Sequence, residues 1–397
     1  MIIKTYKFFN QATKQALLDQ VGGYISKSKS VENEIQKIKS EYNLAKIYRF
    51  DLGENVDGYS PNIFSYLEEL YQNNELFSKL NEYPDITHVE LRKQLASLYN
   101  IDKEQLVIST GLDSILDLIT RVFFEYNDVY LMPIPDFFLF EEYSERMGAM
   151  PIFLPLDEEN NFRWTIDTVS EYKALIARFK PKLVWLSNPS NPSGQVIEDD
   201  IMIKIIDIAS NNNTFVVVDE AYGEYIGTPV KSFARFINKY HNLMVLRTFS
   251  KAYGLAGIRL GYLMCGSEDI IKAMLLHRHH FPATQLSIIL ARYAIKDQNF
   301  IEKTRNVTEK RKHNLFNKLN TLTSFRFIPS ETNIFMIKNN NLSDYELEHQ
   351  FKKQGIIVSL LRISGVNNKN YMRVTIRTDE DNDYFYSVCK KIDNIVK

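Results

Sequence analysis

The chain of 397 residues has few of the features of secreted, metal-binding or membrane-spanning proteins. Its two cysteines, Cys265 and Cys389, are too far apart in sequence for a metal or redox motif and point to a reducing compartment. No apolar run approaches the roughly 18–20 residues needed to cross a bilayer, and the start lacks the apolar core of a signal peptide. The histidines clustered at 277–280 have no cysteine or carboxylate at ligand spacing. We therefore expect a cytoplasmic protein without a metal site.

The chain also lacks an excess of charge of either sign. Its 48 Lys and Arg residues and 49 Asp and Glu residues give a formal net charge of -1. A near-neutral chain has little attraction for polyanions, so we expect no contact with nucleic acid or a membrane surface. Apolar residues make up 45% of the chain and charged residues 24%, as in ordinary globular proteins. A chain of this length can bury a substantial core and form one large and one small domain.

Short apolar runs between about residue 105 and residue 265 alternate with longer segments of helical pattern. Continuous apolarity over four or five residues, with many β-branched side chains, is typical of strands that are buried on both faces. The spacing of the runs leaves room for crossover helices, so the sequence predicts an α/β fold with a mostly parallel central sheet. The runs are 105–109, 129–133, 183–187, 215–219, 244–247 and 261–265.

The pattern changes after about residue 285. A long helical stretch, 285–320, precedes a mixture of strand-like and helical segments, which predicts a smaller α+β domain. The first 50 residues predict a helical arm that belongs with the small domain. We therefore divide the chain into the N-terminal arm 1–50, the large domain 51–285 and the small C-terminal domain 286–397. The segments of the small domain are the strand-like runs 324–329, 333–337 and 371–377 and the amphipathic segment 343–354.

One lysine lies among groups that bind anions. Lys251 follows a predicted strand, and ligands bind beyond the carboxyl ends of strands in parallel sheets. Thr248 and Ser250 supply hydroxyls, and Arg259 supplies a permanent cation that can contact a phosphate through two nitrogens. A partly desolvated lysine near cations has a lowered pKa and is a better nucleophile. An isolated lysine would be interpreted as a surface residue, but this setting suits a Schiff base beside a phosphate, as in pyridoxal-phosphate (PLP) enzymes.

Two other strand ends carry polar groups that suit PLP. Asp219 ends the most β-branched run, and a buried carboxylate there needs a cation such as the protonated ring nitrogen of PLP. Tyr222 and Asn191 have groups that can hydrogen-bond the phenolic oxygen of the ring. Two of these residues also have a simpler interpretation. Asp219 can cap a following helix, and Asn191 can be part of the turn 191–194.

Three further positions complete the predicted site. Gly111, followed by Leu112 and Asp113, begins a helical run whose backbone N–H groups can approach a phosphate. Phe137 can stack on a flat ring, although an aromatic core residue is the more common case. Arg373 lies in an apolar strand-like run, where its guanidinium can hold a carboxylate or form an internal salt bridge.

In their order and spacing these residues resemble the class I and II aminotransferases of PLP fold type I. The closest branch is that of histidinol-phosphate aminotransferase, and the resemblance runs from about residue 50 to the C-terminus. It rests on many short motifs, each weak by itself, which are 53–61, 82–85, 111–114, 135–137, 191–194, 219–222, 250–259, 330–333 and 371–376.

The resemblance implies a large domain with a mostly parallel sheet, a smaller α+β domain and a homodimer with a shared active site. The reaction would be transamination of an L-amino acid through an aldimine on Lys251 and a quinonoid intermediate, with Asp219 on the ring nitrogen. The other roles it implies are the ring oxygen for Tyr222 and Asn191, ring stacking for Phe137, the phosphate for Gly111, Leu112, Asp113, Thr248, Ser250, Arg259 and the partner's Tyr83, and substrate binding for Asn55 and Arg373.

Two positions depart from the pattern of that branch. Ser359 occupies a place where the branch commonly has an arginine that binds the substrate phosphate, and the nearest arginine, Arg362, comes three residues later. Arg377 occupies a place where a glycine is usual. The cofactor side of the predicted site therefore resembles the family more closely than the substrate side.

These departures leave a second enzymatic hypothesis open. PLP stabilises negative charge at Cα whichever bond breaks, so the same residues also suit a lyase or cyclase that acts on a specialised amino acid such as a hydroxylated arginine. A PLP-binding regulator of transcription is a non-enzymatic alternative. The near-neutral charge and the short N-terminal arm count against DNA binding.

Overall fold

The computed structural model of the chain describes residues 9–18, 31–75, 81–227, 229–361 and 370–396. Its helices are α1 (Gln11–Leu18), α2 (Val31–Tyr42), α3 (Asn62–Gln72), α4 (Val89–Tyr99), α5 (Gly111–Phe123), α6 (Phe138–Arg146), α7 (Ile166–Phe179), α8 (Asp199–Ser210), α9 (Glu268–His277), α10 (Gln285–Lys296), α11 (Gln298–Leu319), α12 (Asp344–Lys353) and α13 (Asp379–Val396). Its strands are β1 (Tyr48–Arg49), β2 (Leu106–Ser109), β3 (Val129–Ile134), β4 (Met150–Pro155), β5 (Leu183–Ser187), β6 (Phe215–Asp219), β7 (Leu243–Thr248), β8 (Gly261–Cys265), β9 (Phe325–Ile328), β10 (Ile334–Asn339), β11 (Ile356–Ile357), β12 (Ser359–Leu360) and β13 (Met372–Thr375).

A seven-stranded sheet forms the centre of the molecule, with the strand order β2-β8-β7-β6-β5-β3-β4. Strands β4, β3, β5, β6 and β7 run parallel to one another, and β8 runs antiparallel to both of its neighbours, β7 and β2. The predicted α/β fold with a mostly parallel sheet is confirmed. Because β3, β5, β6 and β7 are adjacent and parallel, their carboxyl ends meet at one edge of the sheet.

Both faces of this sheet are buried, which explains its continuous apolar runs. In β6 the side chains of Val216 and Val218 pack in one hydrophobic cluster and that of Val217 packs in another, as the alternation of side chains along a strand requires. Burial of each such side chain stabilises the fold by about 1.5–3 kcal/mol. Helix α5 covers one face, with its buried Leu112, Ile115 and Ile119 spaced for one side of a helix.

A four-stranded antiparallel sheet, ordered β12-β13-β10-β9, lies in the C-terminal part of the chain. The short strand β1 pairs in parallel with β11, which joins the chain before residue 50 to this part. The predicted helical stretch 285–320 consists of two helices, α10 and α11, that meet at Asp297. The carboxylate of Asp297 accepts the backbone N–H of Phe300 at 3.1 Å and so caps the start of α11.

No helix in the described ranges is both long enough and apolar enough to cross a membrane.

Candidate active site

The carboxyl ends of β3, β5, β6 and β7 bring several of the predicted residues together. Ser187 at the end of β5 lies opposite Asp219 at the end of β6 in the parallel register. Lys251 lies in the loop that follows Thr248, the last residue of β7. The site therefore occupies the edge of the sheet at which ligands bind in parallel α/β folds.

Lys251 points toward Tyr222 and the segment 51–60. Its Nζ lies 5.2 Å from the centroid of the Tyr222 ring and donates a hydrogen bond to the carbonyl oxygen of Leu52 at 2.9 Å. Gly53 lies beside both groups: a Cβ there would be 2.6 Å from the Tyr222 hydroxyl and 3.5 Å from Lys251 Nζ. The amine of the half-buried Lys251 thus lies close to Tyr222, Leu52 and Gly53.

The segment 51–60 crosses the loop that carries Lys251. The side-chain amide of Asn55 donates to the carbonyl oxygen of Ala252 at 2.9 Å. The carbonyl of Gly58 lies so close to Gly254 that a Cβ on Gly254 would overlap it. Asn55 therefore lies next to the lysine loop, where the sequence predicts a residue on the substrate side.

Asp219 is a buried carboxyl, only 4% exposed. It accepts a hydrogen bond from the backbone N–H of Ala221 at 2.8 Å. Burial raises its pKa to about 7, although that hydrogen bond and the positive charge of Lys251 both lower it. A buried acid of this kind is stabilised in its charged form by a neighbouring cation, and a protonated ring nitrogen is such a cation.

Tyr222 and Asn191, the two residues predicted to bind the ring oxygen, differ in their hydrogen bonds. The Tyr222 hydroxyl is buried and has no hydrogen-bond partner among the residues that the structure describes. Such an unpaired buried donor costs free energy unless a ligand satisfies it. The Asn191 Oδ1 accepts a hydrogen bond from Arg373 at 2.8 Å, which leaves its Nδ2 group as a donor.

An anion cradle lies where α5 meets the loop after β7. Gly111 begins α5 at a positive φ of 71°, and a Cβ there would lie 2.7 Å from a terminal nitrogen of Arg259. Arg259 also contacts the carboxylate of Asp113 at 3.3 Å. The hydroxyls of Thr248 and Ser250 are 3.0 Å apart. A phosphate can bind to these hydroxyls and to the guanidinium of Arg259. It can also accept hydrogen bonds from the first N–H groups of α5, in which Leu112 is the second residue.

Phe137 lies at the end of β3, directly before α6. Its ring meets the rings of Phe138 and Phe140 edge-on, with centroids 5.4 and 5.6 Å apart. The structure thus places the ring near the site edge while one side of it packs on α6.

Arg373 makes no internal salt bridge with a described carboxylate. One terminal nitrogen donates to Asn191, as described above, and the other donates to the carbonyl oxygen of Asp51. Its neighbour across the sheet is Ser359, because β12 and β13 pair Ser359 with Arg373. The guanidinium charge therefore remains available to an anionic ligand. Arg362, the nearest arginine after Ser359 in sequence, lies outside the described residues.

Tyr83 lies at the surface of its own chain. Its side chain is 82% exposed, and its ring stacks on that of Phe281 with the centroids 4.4 Å apart.

The sequence did not identify two buried groups next to Asp219. Arg247 is fully buried and forms ion pairs with Glu220, at 3.0 Å, and with Glu224. The signal for this cluster was an arginine within an apolar strand. Asp136 is also buried and contacts Ser187, whereas in the sequence it was only the neighbour of Phe137.

The residues at this edge of the sheet fit PLP. The unpaired Tyr222 hydroxyl suits the ring oxygen, the buried Asp219 suits the ring nitrogen, and the cradle around Gly111 and Arg259 suits the phosphate. Lys251 Nζ lies beside Tyr222, where it can reach the aldehyde carbon of such a ligand.

Comparisons with known proteins agree with this geometry. The family model described as aminotransferase class I and II matches residues 49–388. A histidinol-phosphate aminotransferase of Thermoanaerobacter sp. is 31% identical over 365 residues, which are 91% of this chain and 98% of that protein. One from Caldanaerobacter subterraneus is 30% identical over 377 residues, 95% of this chain and 98% of that protein.

A solved structure shares the fold. It is that of histidinol-phosphate aminotransferase from Sinorhizobium meliloti in complex with pyridoxal-5'-phosphate, with a TM-score of 0.79, 19% identity, and coverage of 91% of this chain and 95% of that one. The family match over most of the chain and the identity of about 30% to full-length relatives lead to one conclusion. The chain belongs to the class I and II aminotransferases.

Proposed function

We propose that the chain is a PLP-dependent aminotransferase that acts on an L-amino acid. The observation that carries the proposal is the arrangement of Lys251 Nζ beside an unpaired buried tyrosine hydroxyl and a buried aspartate. PLP, when bound, supplies an electron-accepting ring that stabilises negative charge at the substrate Cα. All other steps depend on groups of the chain.

Lys251 has two tasks in this proposal. Its Nζ acts as the nucleophile that binds the cofactor, and the same nitrogen then moves a proton away from the substrate Cα. The hydrogen bond from Nζ to the carbonyl of Leu52 and the nearby Tyr222 ring hold the amine in position. Asp219, as a carboxylate, keeps the ring nitrogen protonated, and Tyr222 and Asn191 donate hydrogen bonds to the ring oxygen.

The remaining groups bind the phosphate and ring of the cofactor and the substrate. The backbone at Gly111, Leu112 and Asp113 binds the cofactor phosphate, together with the side chains of Thr248, Ser250 and Arg259. Phe137 covers one face of the ring. Arg373 binds the substrate α-carboxylate, and Asn55 lies on the substrate side.

The proposed substrate is an L-amino acid whose α-carboxylate binds Arg373. The named relatives are histidinol-phosphate aminotransferases, and an arginine can hold a carboxylate or a phosphate through two nitrogens. Ser359, which lies opposite Arg373 across the sheet, adds a hydroxyl but no charge.

We also propose a cytoplasmic homodimer with a shared active site. Tyr83 is strongly exposed and stacks on Phe281, which is itself 47% exposed. Two large aromatic side chains of this kind suit an interface with a second copy, from which Tyr83 would reach the phosphate of the partner's cofactor. The division into an arm at 1–50, a large domain at 51–285 and a small domain at 286–397 remains a prediction.

The test is a half-reaction with purified protein and PLP. Borohydride reduction followed by peptide mapping should find the pyridoxyl group on Lys251; a label on another lysine would contradict the assignment. A panel of amino acids, including phosphorylated, aromatic and guanidino compounds, should then convert bound PLP to its pyridoxamine form. If PLP is instead regenerated while ammonia, water or carbon dioxide is released, the lyase hypothesis replaces transamination. The variant Lys251→Ala serves as the control that should do neither.

A further inference from the structure

Asp136 is a buried carboxyl at the site that none of the roles above uses. It lies between β3 and α6 and is 3% exposed. Its Oδ1 accepts hydrogen bonds from the backbone N–H of Phe137 at 2.7 Å and from the hydroxyl of Ser187. Its Oδ2 accepts the backbone N–H of Ser187 at 3.2 Å. The group is thus surrounded by three donors, which requires an acceptor at this position.

The environment of Asp136 is costly for a carboxylate. Burial, together with the negative charge of Asp219, raises the pKa of Asp136 to about 8, even though the hydrogen bonds from Ser187 and Phe137 lower it. A desolvated acid next to a second acid destabilises the fold unless its hydrogen bonds compensate. This points to a function for the contacts that Asp136 makes.

The contacts of Asp136 continue across the site. The Ser187 hydroxyl has one proton, which it donates to Asp136, and it accepts the backbone N–H of Asn191 at 2.9 Å. The Asn191 Oδ1 in turn accepts from Arg373. Hydrogen bonds therefore join Asp136 to Ser187 and Ser187 to the backbone of Asn191, and a separate hydrogen bond joins the Asn191 side chain to Arg373. We call this set of contacts the Asp136 relay.

We propose that Asp136 is a positioning residue that sets the Asn191 amide and the Phe137 ring relative to Asp219. The proposal rests on the proposed function, since that function assigns Asn191 to the ring oxygen of PLP and Phe137 to the ring face. Asp136 does not touch the cofactor in this scheme. It acts through the Ser187 hydroxyl on one side and through the backbone of Phe137 on the other.

The test is the substitution Asp136→Asn, which keeps the shape of the side chain. The Asn amide group has only one acceptor atom, so its NH₂ group would face a donor from Ser187 or Phe137. We expect roughly tenfold weaker PLP binding, measured by equilibrium dialysis. We also expect the pH midpoint of the absorbance of bound PLP to rise by about half a unit or more, because a misplaced Asn191 stabilises the negative ring oxygen less.

The chain offers a matched control in Asp393. This carboxyl is also buried, and it accepts the backbone N–H and the hydroxyl of Ser324 at 2.7 and 2.6 Å. It differs from Asp136 in lying beside β9, away from the relay. Asp393→Asn should therefore lower the melting temperature but change neither PLP affinity nor the absorbance midpoint.

A second variant keeps the test valid if Asp136→Asn does not fold. Ser187→Ala removes the middle of the relay and leaves Asp136 in place, so it should shift the absorbance midpoint in the same direction. The double variant should be no worse than Asp136→Asn alone, because both changes break one network.

The possible outcomes separate this inference from the proposed function. If the wild-type protein does not bind PLP at Lys251, the proposed function fails. If the wild type binds PLP, and both Asp136→Asn and Ser187→Ala leave affinity and midpoint at wild-type values, only the positioning role is overturned. Equal effects in Asp136→Asn and Asp393→Asn would also overturn it, since they would indicate a loss of stability alone.

Discussion

The protonation state of the buried Asp219 depends on whether a cation is bound beside it. Its carboxyl is buried, and burial raises its pKa to about 7. In the cofactor-free protein the neutral form is therefore favoured below that pH. A cation at the ring nitrogen of PLP favours the carboxylate instead. The cost of burying Asp219 thus appears mainly when the cofactor is absent.

This property predicts a pH dependence of stability for the cofactor-free protein. Aspartate in the unfolded chain ionises near 3.8, and in the folded chain near 7. Between these values the folded state binds one more proton than the unfolded state, so the free energy of unfolding falls as the pH rises, by at most about 1.4 kcal/mol per pH unit. The contribution of Asp219 is full below the lower value and is lost above the higher one.

The variant Asp219→Asn isolates this contribution, because it does not titrate. We expect the free energy of unfolding of wild type, relative to the variant, to decrease as the pH rises from about 4.5 toward 7, the interval below the folded-state pKa of Asp219. Denaturant titrations without PLP measure it. A difference that stays constant or increases with pH would show that Asp219 is ionised in the folded chain throughout this range.

At the scale of strands and helices, the sequence predicted the fully buried strands of the central sheet better than the partly exposed one. The runs that became β2, β3 and β5–β8 are buried, so their apolar patterns are continuous. Strand β4 was missed. It is an edge strand, partly exposed, and contains Pro151 and Pro155, which are typical of edges rather than of central strands.

The sequence located the site residues that end buried strands, but not the contacts that depend on strand order. Residues that end a buried strand, such as Asp219, could be located because strand ends meet at one edge of a parallel sheet. The contact between Asp136 and Ser187 joins β3 to β5 and depends on the strand order, which the sequence pattern does not specify. The pairing of Arg247 with Glu220 and Glu224 likewise required the turn after β6 to be known.

The crossing of the segment 51–60 over the lysine loop leads to a prediction at the same scale. Gly254 has a φ of +69°, and a Cβ on it would overlap the carbonyl of Gly58. Gly254→Ala must therefore displace the segment that contacts Lys251, and we expect PLP affinity to fall by about tenfold or more together with the melting temperature.

The matched control for this change is Gly257→Ala in the same loop. A Cβ at Gly257 would meet nothing within 4 Å, and its φ is not in the left-handed region. This variant should bind PLP as the wild type does. If the two variants behave alike in a PLP titration, the segment 51–60 has no part in holding the site.

For the whole molecule, the arrangement of the two sheets determines what the substrate meets. Arg373 belongs to the small antiparallel sheet, yet it contacts Asn191, which follows β5 of the central sheet. It also contacts Asp51 in the segment between them. The substrate carboxylate, as proposed, would therefore bind where the two sheets and the connecting segment meet. The sequence showed the individual residues but not that they converge.

The proposed site is shared between two copies of the chain. Mixed dimers of two variants test whether Tyr83 of one copy acts at the site of the other. Lys251→Ala should be inactive, and Tyr83→Ala should bind PLP roughly tenfold more weakly, because a hydrogen bond to the phosphate is lost. When the two variants are unfolded together and refolded, a hybrid has one site with an intact Lys251 from one copy and an intact Tyr83 from the other. At limiting PLP, about a quarter of the sites in a statistical mixture should regain wild-type activity.

A second mixture controls for non-specific recovery. Asp219 and Lys251 lie in the same site of one chain, since the charge of Lys251 acts on the pKa of Asp219. A hybrid of Asp219→Asn and Lys251→Ala therefore contains no intact site and should regain no activity. The absence of recovery in the Tyr83→Ala mixture would mean that Tyr83 does not act across the interface. Equal recovery in both mixtures would mean that the recovery does not come from a completed site. Recovery confined to the Tyr83→Ala mixture would explain why so exposed a tyrosine is needed: it completes a site that each copy of the chain leaves open.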